Sequence, residues 1–245
     1  MFQRKAGGVL DPKRESLETS RRIRQNIGEC NFQSQYQQRP TPVGGNMVKR
    51  NWFRLIKSGE EPARFDCKLQ SWDTANESGE LNNFSVCTTW GAVDGHFYLL
   101  DVYRARLNYP ELKRAVEVCK TKHSPDTILI EDKASGTALI QDLQREGNGA
   151  ITSYVPPPGN DKVMRLHAQT ALFENGYVFL PEDAGWFDDY VAELTGFPGA
   201  KYSDQVDSTT QALAYLREPS SRDVWRKLAR HPERMAEFER RLSYS

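Results

Sequence analysis

The chain has 245 residues, with 33 basic and 33 acidic side chains, 38% hydrophobic residues and 11% aromatic residues. This length suits one substantial domain with extensions, and the composition supports a packed core and excludes wholesale disorder. No apolar run approaches the roughly 20 residues needed to span a bilayer, and no charged-then-apolar leader opens the chain. A soluble, cytoplasmic protein without a membrane partner is therefore expected.

The charge is unevenly distributed although the formal net charge is zero. Residues 1–65 carry 13 basic and 6 acidic side chains, and residues 217–245 carry 8 and 5, so the middle of the chain is acidic. This pattern suits an enzyme that holds phosphates at its edges and metal ions at its centre, although solvated surface charge gives such asymmetry as often. The four cysteines show no CxxC spacing, which argues against a zinc site and a disulfide framework.

Residues 1–65 are predicted to form a polar arm, with a helical stretch around Leu17–Ile27 and a cluster of helix breakers at Pro40–Gly45. From residue 66 the pattern changes to strands. Asp94-Gly95 favours a tight hairpin between the second strand and the third. The three predicted strands are Cys67–Ala75, Phe84–Val93 and His96–Ala105.

Strands and helices alternate after this hairpin. Strands are predicted at Thr127–Asp132 and Ala150–Val155, and helices around Tyr109–Lys122, from Gly136, and around Lys162–Asn175, Trp186–Leu194 and Asp204–Leu216. This order specifies an α/β fold, in which a mixed sheet has a three-strand antiparallel meander followed by parallel strands, with helices on both faces. It is the order of RNase H-like nucleases. The domain is predicted to span residues 66–217, and residues 218–245 form a basic tail, either helical or mobile.

Carboxylates at strand ends are candidate catalytic residues, because a pair of metal ions that cuts a phosphodiester needs several carboxylates converging on one point. Asp73 ends the first strand on the face of Leu69 and Ser71. Glu131 and Asp132 close an apolar strand, and only one of them can share a face with Asp73. Structural roles are equally available, as a turn residue for Asp73 and a helix N-cap for Asp132.

Asp204 and Asp207 open the last predicted helix, and their spacing of three residues places them on one helical face. Acids in a first helical turn also stabilise the helix by capping and through its dipole, so this pair alone is weak evidence for a site. Acids at three matching positions of the fold are stronger evidence than any of them alone.

Four stretches, in this order, resemble the large terminase subunit of tailed double-stranded DNA bacteriophages and of prophages. They are Trp72-Asp73-Thr74-Ala75, the run from Ile130 to Gly136, the run from Asp161 to Arg165, and Phe197-Pro198 leading to Ser203-Asp204-Gln205-Val206-Asp207. Upstream, residues 31–45 resemble the segment that joins the terminase motor to its nuclease. The resemblance therefore extends across the arm.

The resemblance implies an RNase H-like endonuclease that cuts concatemeric double-stranded DNA during genome packaging, with Mg²⁺ or Mn²⁺ as cofactor. The implied catalytic and metal-binding triad is Asp73, Glu131 and Asp204, with Asp207 as a further metal ligand and Asp132 as the alternative to Glu131. The implied partners are double-stranded DNA and a separate terminase motor, small terminase subunit or portal, in the cytoplasm of a bacterial host.

Basic residues complete the implied site. Lys162 and Arg165 match a basic pair of the family, and these two residues and Lys133 are the candidate DNA contacts. Long basic side chains on a helix are also commonly just solvated.

Two features depart from the family pattern. Many relatives carry His-Asp-Asp where this chain has Tyr202-Ser203-Asp204, so one polar group is missing. No GxxxxGK[ST] phosphate loop occurs, so cutting is expected to be independent of ATP. Electrostatic contacts with phosphates read no base sequence and weaken as salt rises, so cutting is also expected to be weakly sequence-specific and sensitive to salt. Two alternatives remain: a resolvase-like nuclease of the same fold, and an inactive prophage remnant that binds DNA or a packaging partner without cutting.

Overall fold

The computed structural model describes residues 16, 18–19, 21–23, 47–75, 84–133, 135–159 and 161–217. Residues 18–19 and 21–23 of the predicted arm helix are helical and the rest of it lies outside these ranges. Residues 31–45 and the tail at 218–245 lie wholly outside them. No helix within the described ranges is long and apolar enough to cross a membrane.

Strands and helices of the described chain alternate around one mixed sheet. The strands are β1 (Arg54–Ile56), β2 (Cys67–Asp73), β3 (Ser85–Val93), β4 (His96–Ala105), β5 (Thr127–Glu131), β6 (Ile151–Tyr154) and β7 (Val178–Pro181). The α-helices after residue 47 are α1 (Tyr109–His123), α2 (Ser135–Arg145), α3 (Lys162–Glu174), α4 (Phe187–Gly196) and α5 (Asp204–Arg217). The strand order in the sheet is β1-β7-β4-β3-β2-β5-β6.

Strands β2, β3 and β4 form the predicted antiparallel meander. Asp94 and Gly95 make the turn between β3 and β4, with φ angles of 48° and 77°. Asp tolerates this left-handed conformation and Gly adopts it without steric cost, which is why the dipeptide closes a hairpin. Strands β5 and β6 extend the sheet in parallel beyond β2. The predicted α/β fold with a mixed sheet is confirmed.

Two short strands that were not predicted extend the other edge of the sheet. Strand β7 pairs in parallel with β4, and β1 pairs in parallel with β7. Strand β7 has four residues and β1 has three, which is too few for an alternating pattern to be recognised in the sequence. Strand β1 precedes residue 66, and Val48 and Phe53 are buried in the core. The packed fold therefore includes part of the segment predicted as the arm.

Apolar side chains pack on both faces of the sheet. One cluster packs Leu69 and Leu129 with side chains of α3, α4 and α5. The other packs Trp72 and Ile130 with side chains of α1 and α2. Because successive side chains of a strand point to opposite faces, these residues also fix the face taken by the last residues of β2 and β5.

Helix α5 is buried along most of its length, and hydroxyl groups attach it to the sheet. Ser71 and Ser208 each donate a hydrogen bond of 2.7 Å from the hydroxyl to the backbone carbonyl of the other. The hydroxyls of Thr88 and Ser208 are also 2.7 Å apart. Buried polar groups that are fully hydrogen-bonded specify one packing arrangement. These contacts therefore hold the first half of α5 against β2 and β3.

Candidate functional site

Asp73 and Glu131 end two neighbouring strands on the same face of the sheet. Asp73 follows Leu69 by four positions in β2, and Glu131 follows Leu129 by two positions in β5. Both acids therefore belong to the face that packs against α3, α4 and α5. Strands β2 and β5 run parallel and pair up to the residues just before these acids. The two carboxylates consequently meet at one edge of the sheet.

Asp132 belongs to the opposite face and has other partners. Its carboxylate accepts hydrogen bonds from the hydroxyl of Thr137 at 2.6 Å and from the hydroxyl of Ser153 at 3.1 Å. Of the two neighbouring acids that the sequence left open, Glu131 is therefore the one beside Asp73.

Helix α5 brings Asp204 and Asp207 to the same edge. Its first turn is held by Glu193 of α4, a buried residue whose carboxylate accepts hydrogen bonds of 2.7 Å from the backbone N–H and from the side-chain amide of Gln205. Glu193 thus satisfies an N–H group at the start of α5, as a capping residue would. Glu193 was not predicted from the sequence, because its partner lies in another helix and no local spacing connects the two.

Two basic side chains of α3 pair with Asp207. Nη2 of Arg165 lies 2.5 Å from the Asp207 carboxylate, and Lys162 forms a second salt bridge with it. Asp207 is only 4% exposed, and a buried carboxylate without such partners would be costly. Asp161 caps α3 by accepting a hydrogen bond from the backbone N–H of Met164 at 2.8 Å. This cap fixes the start of the helix that carries both basic residues.

The acids and the basic residues line one cavity of about 140 Å³, here called the carboxylate cavity. Its lining residues are Asp73, Thr74, Ala75, Phe84, Glu131, Lys133, Lys162, Arg165, Asp204 and Asp207. The structure thus brings together the four acids and the three basic residues that were predicted for the site. Asp132, the alternative to Glu131, is not part of the lining.

Burial and like charges perturb the acids of the cavity. Burial, and then the charges of Asp207, Glu131 and Asp204, hold the pKa of Asp73 well above its ordinary value of 3.8. Burial and the charge of Glu193 also raise the pKa of Asp204. Crowded carboxylates of this kind destabilise one another, and a bound divalent cation would remove the repulsion.

Helix α2 begins close to the ends of β2 and β5 because residue 136 is glycine. A Cβ atom at Gly136 would lie 2.1 Å from the backbone oxygen of Glu131 and 3.2 Å from the hydroxyl of Thr74. The hydroxyl of Ser135 donates a hydrogen bond of 2.5 Å to the carbonyl of Ala75. The Ser135-Gly136 dipeptide therefore packs α2 directly against the strand ends that carry the acids.

The chemistry of the cavity fits a hard divalent cation. Among the described residues, no group of three or more His, Cys, Asp or Glu side chains is arranged to hold a metal ion as it stands. The acids of the cavity nevertheless offer carboxylate oxygens, which Mg²⁺ and Mn²⁺ prefer, and the lining contains neither His nor Cys. The raised pKa of Asp73 indicates that a cation at this place would be stabilising.

Comparisons with known proteins agree on one family. The model of the terminase RNase H-like domain matches residues 70–216, and no match was found among curated proteins. The large terminase of a thermophilic bacteriophage aligns with a TM-score of 0.60 and 12% identity, over 83% of this chain and 54% of that one. The large terminase nuclease of the thermophilic phage G20c, solved with bound cobalt and with bound magnesium, aligns with a TM-score of 0.53 and 16% identity, over 71% of this chain and 98% of that one.

The two kinds of comparison support different statements. At these identities the solved structures show a shared fold, and the chain spans about half the length of the first of these two proteins, the large terminase. The family match covers more than half of the chain and includes all four acids of the carboxylate cavity. The chain therefore belongs to the family of terminase RNase H-like nuclease domains.

Proposed function

We propose that this chain is a Mg²⁺- or Mn²⁺-dependent DNA endonuclease of the viral terminase type, which cuts concatemeric double-stranded DNA during genome packaging. One observation carries the proposal: Asp73, Glu131 and Asp204 line a single cavity in a domain of this family. The magnesium-bound nuclease of phage G20c, which has the same fold, supports a role for a divalent ion.

The acids have distinct positions in this proposal. Asp73 and Glu131 would hold a pair of metal ions from the strand side, Asp204 would hold them from the helix side, and Asp207 would be a further ligand. When bound, the ions would activate a water molecule and stabilise the charge that develops on the phosphate. Glu193 fixes the first turn of α5, so the ligands from the helix keep their position relative to those from the strands.

Lys133, Lys162 and Arg165 are the proposed DNA contacts of the cavity. Lys133 is exposed and lines the cavity, so a phosphate has direct access to its ammonium group. Lys162 and Arg165 are paired with Asp207, so a phosphate that contacts them would share these cations with that carboxylate. Their contribution to DNA binding is therefore coupled to the state of that carboxylate.

The proposal extends to substrate and partners. Double-stranded DNA is the substrate, in the cytoplasm of a bacterial host, and a terminase motor is the main partner, with a small terminase subunit or a portal beside it. The large terminase of a thermophilic bacteriophage supports the proposal of a separate motor. Nearly half of that protein lies outside the part that aligns with this chain.

A nicking assay on supercoiled plasmid tests the proposed function. The purified chain is expected to nick plasmid in Mn²⁺ and to lose this activity in EDTA, because the carboxylates act only through bound metal. The rate should fall as salt rises, since phosphate contacts release counterions, and ATP should give no stimulation. DNA binding without nicking would identify a non-cutting remnant instead, and cutting at one sharp sequence would favour a resolvase-like enzyme.

A further inference from the structure

An ion pair connects the end of β4 to α4, next to the start of α5. Nη2 of Arg104, the last residue but one of β4, lies 3.5 Å from Oε2 of Glu193 in α4. The same Oε2 accepts the hydrogen bond from the side-chain amide of Gln205, and Oε1 accepts the one from the Gln205 backbone N–H. These three residues, here called the polar bridge, therefore connect the sheet to the first turn of α5.

Two aromatic rings hold the guanidinium of Arg104. Its Cζ lies 4.1 Å from the ring centroid of Phe84 and 4.9 Å from that of Tyr202. The two rings meet edge to face at a centroid distance of 5.3 Å. Among the described residues, no hydrogen-bond acceptor lies beside the buried Nε and Nη2 of Arg104. The guanidinium therefore takes its position from the two rings and from the charge of Glu193.

Arg104 supplies the counter-charge of a buried acid. The side chain of Glu193 is 5% exposed and that of Arg104 is 21% exposed. A buried carboxylate that loses its cationic partner is costly, so without Arg104 the side chain of Glu193 would be driven to turn towards solvent. It would then leave Gln205. Arg104 thus stabilises the arrangement in which Glu193 accepts both hydrogen bonds from Gln205.

The position of Gln205 matters because this residue directly follows Asp204, the first residue of α5. Asp204 lines the carboxylate cavity, whereas the residues of the polar bridge are not among its lining residues. Groups that orient the ligands of a metal change its affinity without touching it. A geometric effect of Arg104 on the cavity therefore has to pass through Glu193 and the first turn of α5.

We infer that Arg104 is a positioning residue for the metal site: acting through Glu193, it fixes the first turn of α5 and with it Asp204. This inference rests on the proposed nuclease function. The charge of Arg104 and its positioning role act on a divalent cation in opposite directions. The positive charge by itself repels the cation, whereas a fixed Asp204 favours its binding. Replacing Arg104 therefore distinguishes the two effects.

Hydrogen exchange of backbone amides, followed by NMR in EDTA, tests the first step without any metal. In Arg104→Met the amide of Gln205 is expected to exchange about fivefold faster, as after the loss of a helix cap, because its acceptor Glu193 has lost its partner. The amides of α1 should keep their rates. Arg114→Met, which removes an exposed arginine from α1, is the matched control and should leave the exchange of Gln205 unchanged.

Mn²⁺ affinity, measured from the electron paramagnetic resonance signal of unbound Mn²⁺ in the absence of DNA, tests the second step. Arg104→Met is expected to bind Mn²⁺ roughly tenfold more weakly, although a positive charge has been removed. Arg104→Lys restores the counter-charge of Glu193 but not the flat contact with the two rings. Its affinity should therefore lie between those of Arg104→Met and the unchanged chain. Arg114→Met should bind Mn²⁺ as the unchanged chain does.

Three results would contradict the positioning role of Arg104. They are an unchanged exchange rate at Gln205 in Arg104→Met, an equal acceleration throughout α1, and Mn²⁺ binding by Arg104→Met that is as tight as in the unchanged chain or tighter. The exchange measurement does not depend on metal or on cutting. An unchanged chain that neither binds Mn²⁺ nor nicks plasmid, while Arg104→Met still speeds the exchange of Gln205, would contradict the nuclease and keep the role of Arg104 in fixing α5.

Discussion

Replacing Asp73 with Asn is expected to lower Mn²⁺-dependent nicking by on the order of a hundredfold or more, while the chain stays folded. Asp73 ends β2 on the face of α5 and lines the carboxylate cavity with the other acids. An amide cannot supply the negative charge that a divalent ion needs from this position. Plasmid nicking rates in Mn²⁺ measure the loss directly. Asp189→Asn, which removes an exposed acid from α4, should nick at the unchanged rate.

The same substitution is expected to stabilise the metal-free chain at neutral pH. Burial and the charges of Asp207, Glu131 and Asp204 raise the pKa of Asp73 above 3.8, so ionising this carboxyl costs more in the folded chain than in the unfolded one. The stability that Asp73 contributes is complete below pH 3.8 and is lost as the pH rises through its raised folded value. Thermal unfolding in EDTA should therefore favour Asp73→Asn at neutral pH, and the advantage should vanish in acid.

The two expected effects of Asp73→Asn, lost nicking and higher stability without metal, can be contradicted separately. A chain with Asp73→Asn that nicks plasmid at the unchanged rate would contradict the triad. A chain that loses activity but also loses stability at neutral pH would show that Asp73 stabilises the fold, contrary to the repulsion inferred from its neighbours.

Replacing Glu131 with Gln is expected to lower the nicking rate about as much as Asp73→Asn does. Asp132→Asn should leave the rate nearly unchanged. The two acids are adjacent in the chain, but Glu131 lines the carboxylate cavity and Asp132 accepts hydrogen bonds from Thr137 and Ser153 on the other face. An asparagine can still accept a hydrogen bond through its side-chain oxygen, so Asp132→Asn is a mild change. This pair of variants is matched in chain position and in the charge removed.

Nicking rates and Mn²⁺ titrations of both variants distinguish the two acids. We expect Glu131→Gln alone to lose activity and to bind Mn²⁺ more weakly. The reverse pattern, with Asp132→Asn inactive and Glu131→Gln active, would mean that Asp132, and not Glu131, faces the carboxylate cavity when DNA is cut.

Much of the carboxylate cavity was predictable because its acids follow local rules. Alternation along β2 predicted the face of Asp73, and helical spacing predicted that Asp204 and Asp207 lie together. The choice between Glu131 and Asp132 was not predictable in this way, because β5 is apolar on both faces and its pattern does not show which face meets α5. Only the packing of Leu129 in the cluster with α5 decides it.

The features that the sequence analysis missed depend on contacts between distant parts of the chain. Strands β1 and β7 are too short to show a period, and pairing in the sheet alone identifies them. Glu193 resembles any acid of an amphipathic helix until its contacts with Gln205 and Arg104 are known. Arg104 lies in β4 and Arg106 just after it, and their spacing of two does not predict that both guanidinium groups contact the ring of Phe84.

The most direct test of the central claim is a crystal of the chain soaked in Mn²⁺ and measured at a wavelength where manganese scatters anomalously. The account predicts anomalous density in the carboxylate cavity, with Asp73 beside it and Glu131 and Asp204 as further ligands, at a Mn²⁺ concentration that supports nicking. Density beside Asp132 and none at Asp73, or an empty cavity at such a concentration, would contradict it.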